Sequence, residues 1–283
     1  MEEHRKNSRI IAPLTSKWVC ASLLVFGFFV FSSSISSAKP NIDDIRYPSE
    51  EWDRQLLELI DKGPVLLEDS EGFLPESYPV NSSEETQAEL DYLVELSKTA
   101  RDPKTLDLIF EENDKFFVWQ SFSDAGILLA EDDQNKAFEK VMETMNKELS
   151  FFILKYKKHF SRARPSQLRP DLDLAIDNPR HAAYPSGHAT QSYAAALILS
   201  KIDAENADKY LDCARSIAYR REIAGVHYPS DSKAGQILAK KIVNKLLERP
   251  EFQTELQQAK ESFIKAPGLD SYEMQMVGTT EKD

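Results

Sequence analysis

Glycine is scarce: the chain has nine in 283 residues, where ordinary usage of about 7% would give about twenty. A sandwich or barrel of short strands needs turn glycines, so the shortage favours helices. Cysteine is scarcer still, with only Cys20 and Cys213. Cys20 falls in an N-terminal apolar stretch that reads as a removable leader. Cys213 is then alone, which excludes an intrachain disulfide framework. Net positive charge is absent too. The formal charge is −12, which argues against duplex nucleic acid as a partner, because phosphate contacts need basic patches. It leaves room for a small anion in a local basic pocket. Beyond the leader no apolar run approaches the roughly 20 residues of a membrane-spanning helix. What remains is ordinary globular composition, 41% hydrophobic and 29% charged, which excludes wholesale disorder.

The N-terminus carries Arg5, Lys6, Arg9 and Lys17, then the uncharged stretch 18–31, then Ser36 and Ala38 before a cleavage point. This layout predicts a secretory signal peptide over 1–38. Fourteen apolar residues are short for a membrane span. Removing 1–38 takes away four basic and two acidic residues, so the net charge deepens from −12 to −14. The expected product is periplasmic or secreted and not stably inserted in a membrane.

Residues 39–80 are rich in Pro, Asp, Glu and Ser and predict an extended N-terminal arm with one short helix near 50–62. Asn81-Ser82-Ser83 is a glycosylation sequon. Ser82 followed by Glu85 reads as a capping box opening the next helix. Further helices are expected over 103–119, 132–159, 186–202, 205–220, around Ala234–Leu246, and over 251–265. In the helix over 132–159, Phe138, Met142, Met145, Leu149, Phe152 and Tyr156 form one apolar stripe. Phe116, Phe117, Trp119 and Phe122 read as core, and Glu131-Asp132-Asp133 as a solvated helix start. The expected organisation is all-α, with one helical domain over 81–266 and a flexible tail over 267–283.

Three segments stand out. From Leu149 to Pro170 there is no acidic residue but six basic ones, Lys155, Lys157, Lys158, Arg162, Arg164 and Arg169. A basic helix end complementing its own dipole is one reading. An anion site is the other, with Arg164 as a planar fork and Lys157 as a point charge. Next, Pro185-Ser186-Gly187-His188 precedes a long apolar helix. Free N–H groups at that helix start attract an anion, Gly187 permits close approach, and His188 sits in the first turn. Last, Arg221, His227 and Asp231 surround Pro229. A carboxylate beside an imidazole fixes its tautomer and prepares the other nitrogen as nucleophile or base. No His-x-x-x-His or Glu-x-x-His cluster supports a metal site there. His159 reads as a surface residue and His181 as structural, bordering the pocket.

In order and spacing, Lys157-x6-Arg164-Pro165, Pro185-Ser186-Gly187-His188 and Arg221-x5-His227-x3-Asp231 resemble the three-part signature of the type 2 phosphatidic acid phosphatase superfamily. Within it the chain is similar to the soluble, exported class A bacterial nonspecific acid phosphatases, over about 85–265. The resemblance implies a helical bundle of the acid phosphatase/vanadium haloperoxidase type and metal-independent hydrolysis of phosphomonoesters without a cofactor. It implies His227 as nucleophile, Asp231 as its partner and His188 as acid and base. Lys157, Arg164, Ser186, Gly187 and Arg221 would hold the phosphate. One position departs: the family usually has Ser before the third-motif arginine, and this chain has Arg220.

Alternatives within this resemblance are a lipid phosphate or isoprenoid diphosphate phosphatase and a vanadate-dependent haloperoxidase. From another class, a non-catalytic phosphate-binding protein is a further reading. The expected partners are small phosphorylated substrates, with room left for a homo-oligomer.

Overall fold

Small residues set the centre of this fold. The computed structural model describes residues 41–264 except 71, 74, 75, 114–117, 119 and 125–135. The expected leader and tail, Phe116, Phe117, Trp119 and Glu131–Asp133 lie outside the described residues. In chain order the helices are α1 (Arg54–Lys62), α2 (Glu84–Thr99), α3 (Pro103–Asn113), α4 (Gln120–Asp124), α5 (Lys136–Phe160), α6 (Pro165–Leu168), α7 (Gly187–Ile202), α8 (Ala207–Ile223), α9 (Pro229–Leu246) and α10 (Pro250–Ser262). Among the described residues no strand forms, and Arg46 and Arg162 make an isolated antiparallel bridge. The all-α expectation holds. No helix among the described residues is long and apolar enough to cross a membrane.

α7 is the central element, packed along both α8 and α9. Its Ala189, Ala194, Ala195 and Ala196 are fully buried, and such short side chains let neighbouring backbones come close. The closest approach is at Gly235 of α9, where an added Cβ would stand 2.8 Å from the Ser186 carbonyl oxygen and 3.0 Å from Thr190 Oγ1. That contact seats the start of α9 against the start of α7.

On α5 every residue of the expected stripe from Phe138 to Tyr156 is buried. α10 covers it through Phe252 and Ala259. A second core joins Leu90, Leu93 and Leu96 of α2 and Ile109 of α3 to Ile223, Val226 and Tyr228. Ala224, Val226 and Tyr228 anchor the segment 224–231 in this second core.

Residues 41–62 are stitched to the helices by main-chain bonds. Tyr47 N–H donates to Ser161 O (2.9 Å) and Asp53 N–H to Arg180 O (2.9 Å). α1 starts at Arg54, later than expected, because Asp53 is its cap and accepts from Gln55 N–H at 2.8 Å. The α2 cap also moves by one residue. Ser83 Oγ accepts from Thr86 N–H at 3.1 Å, while Ser82 is held by Asp43 through both N–H and Oγ, each at 2.8 Å. Asn81 is 2% exposed, and its Nδ2 donates to the Ile42 and Ile45 carbonyls at 2.8 and 3.0 Å. The sequon nitrogen is therefore occupied in the folded chain.

Gly235→Ala is expected to force the starts of α7 and α9 apart and cost about 1–3 kcal/mol. The thermal midpoint should fall by several degrees in differential scanning calorimetry; an unchanged midpoint would show that the close approach does not matter.

Candidate active site

Segments far apart in the chain converge on one pocket and the hydrogen-bond network around it. The end of α5 brings Lys157, the extended link after it Arg162 and Arg164, and the start of α7 Gly187 and His188. The end of α8 brings Arg221, the α8–α9 connection His227, and the first turn of α9 Asp231. That connection turns at Gly225, with φ of 81°. A Cβ there would stand 2.8 Å from Leu174 Cδ2, so glycine alone fits this left-handed turn tightly against its neighbour.

Asp231 is completely buried and uses both oxygens. Oδ2 accepts from His227 Nδ1 at 2.9 Å and from Tyr228 N–H at 3.1 Å. Oδ1 accepts from Arg162 Nη1 at 2.6 Å. The Asp231 carbonyl also accepts from Ser186 N–H at 3.0 Å, which ties the third segment to the second. Arg162 continues to Ser230 Oγ (2.8 Å) and Glu89 (3.2 Å), and its guanidinium stacks 3.7 Å from the Tyr228 ring centre. These partners assign a proton to His227 Nδ1 and leave the lone pair on Nε2. Nε2 faces Arg164 Nη1 at 3.1 Å.

Arg164 is a clamp as well as a charge. Its Nη1 also donates to Val226 O at 2.6 Å, and its Nε and Nη2 donate to His181 O at 3.1 and 2.9 Å. Lys157 Nζ donates to the Ala182 and Ala183 carbonyls at 2.9 and 2.8 Å, leaving one of its three protons for the pocket. Arg221 is 1% exposed, yet its Nε and Nη1 have no hydrogen-bond partner. Buried donors on a cation are costly to leave unmade, and these sit beside a pocket that Arg221 itself lines. The pocket holds about 810 Å³ of empty space, its open mouth included. An anion with several acceptor oxygens fits these donors together with the unpaired first N–H groups of α7.

Burial and crowding of cations shape the titration. Burial, followed by Asp231 and Arg221 in opposite senses, pushes Arg164 down to about 10. Burial likewise pushes Arg221 down to about 10. Both stay charged at neutral pH. Burial, reinforced by Arg164, holds the Lys157 ammonium well below its usual range. Burial first and the neighbouring cations second also hold His181, His188 and His227 well below the usual imidazole value. A dianion in the pocket would reverse the second cause.

His188 Nε2 lies 3.0 Å from the main-chain carbonyl of Glu112. A carbonyl only accepts, so Nε2 carries hydrogen and Nδ1 is left for chemistry. The Glu112 carboxylate in turn takes a forked contact from Arg220, whose Nε is 3.0 Å from both oxygens and whose Nη2 is 2.5 Å from one. Asn113, next in α3, accepts from Arg221 Nη2 at 3.3 Å. The departure at position 220 therefore fastens the end of α3 over the pocket. Arg220 and Arg221 are adjacent on α8, about 100° apart around the helix, so one faces α3 and the other the pocket.

Of the residues expected at the site, Lys157, Gly187, His188, Arg221 and His227 line the pocket. Asp231 and Arg164 contact His227 at its two ring nitrogens, Asp231 at Nδ1 and Arg164 at Nε2. Ser186 caps α7, with Ala189 N–H 3.4 Å from its Oγ. His181, read as structural, lines the pocket and contacts Arg164 Nη2 through Nδ1 at 3.0 Å. His159 is exposed, as expected. The acid-free window does not act as one basic patch: Lys155 pairs with Asp69, Arg169 with Asp91 and Arg162 with Glu89 and Asp231. Arg162, Glu89 and Glu112 are the residues that sequence reasoning missed. Arg162 had a signal, since on extended backbone it shares a face with Arg164.

Residues 147–244 match the PAP2 superfamily, so the chain carries a PAP2 superfamily domain there. Over 86 residues it is 43% identical to a "Non-specific acid phosphatase" of Providencia stuartii, covering 30% of this chain and 35% of that protein. Over 79 residues it is 35% identical to a "Decaprenylphosphoryl-5-phosphoribose phosphatase" of Mycolicibacterium smegmatis, covering 28% of this chain and 42% of that one. The chain thus spans well under half the length of these curated relatives. A solved bacterial vanadium-dependent iodoperoxidase shares the fold, with a TM-score of 0.52, 17% identity, and coverage of 71% of this chain and 60% of that one.

Two outcomes are expected. The unfolded chain takes up protons on its histidines near pH 6.5, and the folded chain does not. Stability is therefore lost as pH falls below about 6.5, by up to about 1.4 kcal/mol per buried histidine per pH unit. The thermal midpoint of the ligand-free chain should drop from pH 7 to pH 5, and inorganic phosphate should raise it more at pH 5; equal phosphate effects at both pH values would contradict the assignment. Arg220→Ser leaves a buried carboxylate unpaired and should cost about 3 kcal/mol. Adding Glu112→Gln should recover part of that loss in a double-mutant cycle; simple additivity would refute the coupling.

Proposed function

We propose that this chain is an exported acid phosphatase, whose PAP2 superfamily domain hydrolyses phosphomonoesters through a phosphohistidine on His227. The observation that carries the proposal is the pairing of two features. His227 keeps its Nδ1 hydrogen bonded to Asp231, which leaves the Nε2 lone pair facing Arg164 Nη1 at 3.1 Å, and Arg221 has unmatched buried donors beside the pocket it lines. Together they supply a nucleophile and a receptor for the group it attacks.

The reaction runs in two displacements. The His227 Nε2 lone pair forms a bond to phosphorus as the bond to the ester oxygen breaks. The departing oxygen takes the proton from His188 Nδ1. Asp231 stabilises the positive imidazole, and Lys157, Arg164 and Arg221 take the negative charge on the phosphoryl oxygens. His188 then draws a proton from water, whose oxygen attacks phosphorus. The N–P bond breaks, inorganic phosphate leaves, and the lone pair returns to Nε2.

The titration supports activity in acid. His227 must be neutral to attack, and burial, the larger cause of its lowered pKa, still acts when a phosphoryl group offsets the neighbouring cations. His188 must be protonated to assist departure. The same burial opposes that in the empty pocket, but a bound phosphoryl dianion favours it. Three side-chain cations and a helix start supply the positive charge, so the proposed reaction needs no metal. The basic-then-apolar leader over 1–38 supports export by a cleaved signal peptide, with the mature helical domain beginning near residue 81 after the arm.

His227→Ala is expected to lower kcat by at least about 10⁴-fold with the fold intact, and Asp231→Asn by about 10³-fold, measured on a soluble aryl phosphate. A chelator should leave the rate unchanged. Substantial hydrolysis by His227→Ala, or loss of activity with chelator, would contradict the proposal.

A further inference from the structure

The pocket lining mixes three chemistries. Lys157, His181, His188, Arg221 and His227 carry its ionisable groups, and Asn113, Ser150 and Gln191 are neutral and polar. The apolar part is Leu56 and Leu59 of α1 with Leu154 of α5, which pack in one cluster, together with Pro179 and with Ile153 beside Gly187. Among the described residues no acidic side chain lines the pocket.

The leucine wall comes from outside the PAP2 superfamily domain, which starts at residue 147. α1 carries Leu56, Leu57, Leu59 and Ile60 on nine residues, and none of them is fully buried. An amphipathic helix docked on a protein normally hides its apolar face. Here Leu57 and Ile60 pack on Tyr47, Trp52, Leu154 and Ala182, while Leu56 and Leu59 also face the pocket. The position of α1 is fixed on the side of the pocket. Asp53 N–H bonds the Arg180 carbonyl at 2.9 Å, Tyr47 Oη bonds the Pro179 carbonyl at 3.2 Å, and Trp52 lies 6.4 Å from the His181 ring.

We infer that Leu56 and Leu59 form a leaving-group subsite, which selects monophosphate esters of compact, uncharged, apolar alcohols, such as aryl-alkyl or branched alkyl groups, over polyol or charged esters. The inference rests on the phosphatase reading of the same pocket. A phosphoryl group held by the cations leaves the rest of the ester against the remaining lining. An apolar alcohol lying on α1 removes its own surface and that of two leucines from water. A polyol lying there would lose hydroxyl hydration against the leucine carbons.

The test compares 2-phenylethyl phosphate with glycerol 3-phosphate, two alkyl esters, using the full mature chain. The ratio of kcat/KM values should favour the aromatic ester by at least about tenfold. Leu56→Ser and Leu59→Ser should each lower that ratio about fivefold, mainly through KM. Glu58→Gln, on the exposed face of α1, should leave it unchanged. Should the serine variants fold poorly, Leu56→Phe and Leu59→Phe keep the helix apolar and narrow the wall, and should lower the same ratio by exclusion. A ratio unmoved by all four leucine variants, with glycerol 3-phosphate still hydrolysed by the unaltered chain, overturns the subsite and spares the phosphatase reading. No turnover of either ester by the unaltered chain overturns the phosphatase reading and the subsite with it.

Discussion

Both oxygens of one buried carboxylate are occupied, and the rest of the site depends on that fact. Asp231 holds the His227 ring on one oxygen and the Arg162 guanidinium on the other. A carboxylate with no solvent contact is tolerated only if paired and hydrogen-bonded. Its two partners therefore cannot drift independently. Through Arg162 the constraint reaches Glu89 and Ser230, and through its carbonyl it reaches Ser186 at the start of α7. One residue thus joins α2, the link after α5, the cap of α7 and the start of α9.

This arrangement separates two uses of positive charge. Arg162 neutralises Asp231 and is stacked between the rings of Tyr78 and Tyr228, away from the pocket. Lys157, Arg164 and Arg221 lie with three histidines in a space where each cation weakens its neighbours' hold on a proton. Without an anion this cluster is electrostatically unfavourable, and with one it is balanced. The overall charge of −12 says nothing of this, because it counts the solvated surface. Attraction by the field of the whole molecule is therefore slight or adverse, and selection falls to the pocket.

The helical class and the core stripe of α5 were legible in the sequence, because periodicity follows from helix geometry whatever packs against it. The three motif segments were legible for a different reason. Their chemistry requires particular residue types, and those types recur at tight spacings. Glu89 and Glu112 were not legible. Each lies on an ordinary amphipathic helix well upstream, and its partner, Arg162 or Arg220, is identified only by tertiary contact. The α2 cap was misread by one residue for the same reason. Ser82 and Ser83 are equivalent locally, and Asp43, some forty residues earlier, takes Ser82. The arm was read as extended chain with one helix; that its leucines turn toward the pocket depends on main-chain bonds that no local pattern encodes.

The central claim is that His227, oriented by Asp231, carries the phosphoryl group between two displacements. The most direct measurement is rapid quenching into base during turnover of a ³²P-labelled phosphomonoester, followed by mapping of the labelled peptide. The account predicts label on His227, absent from His227→Ala. Label on His188, on another side chain, or on no residue at all while hydrolysis proceeds would contradict it.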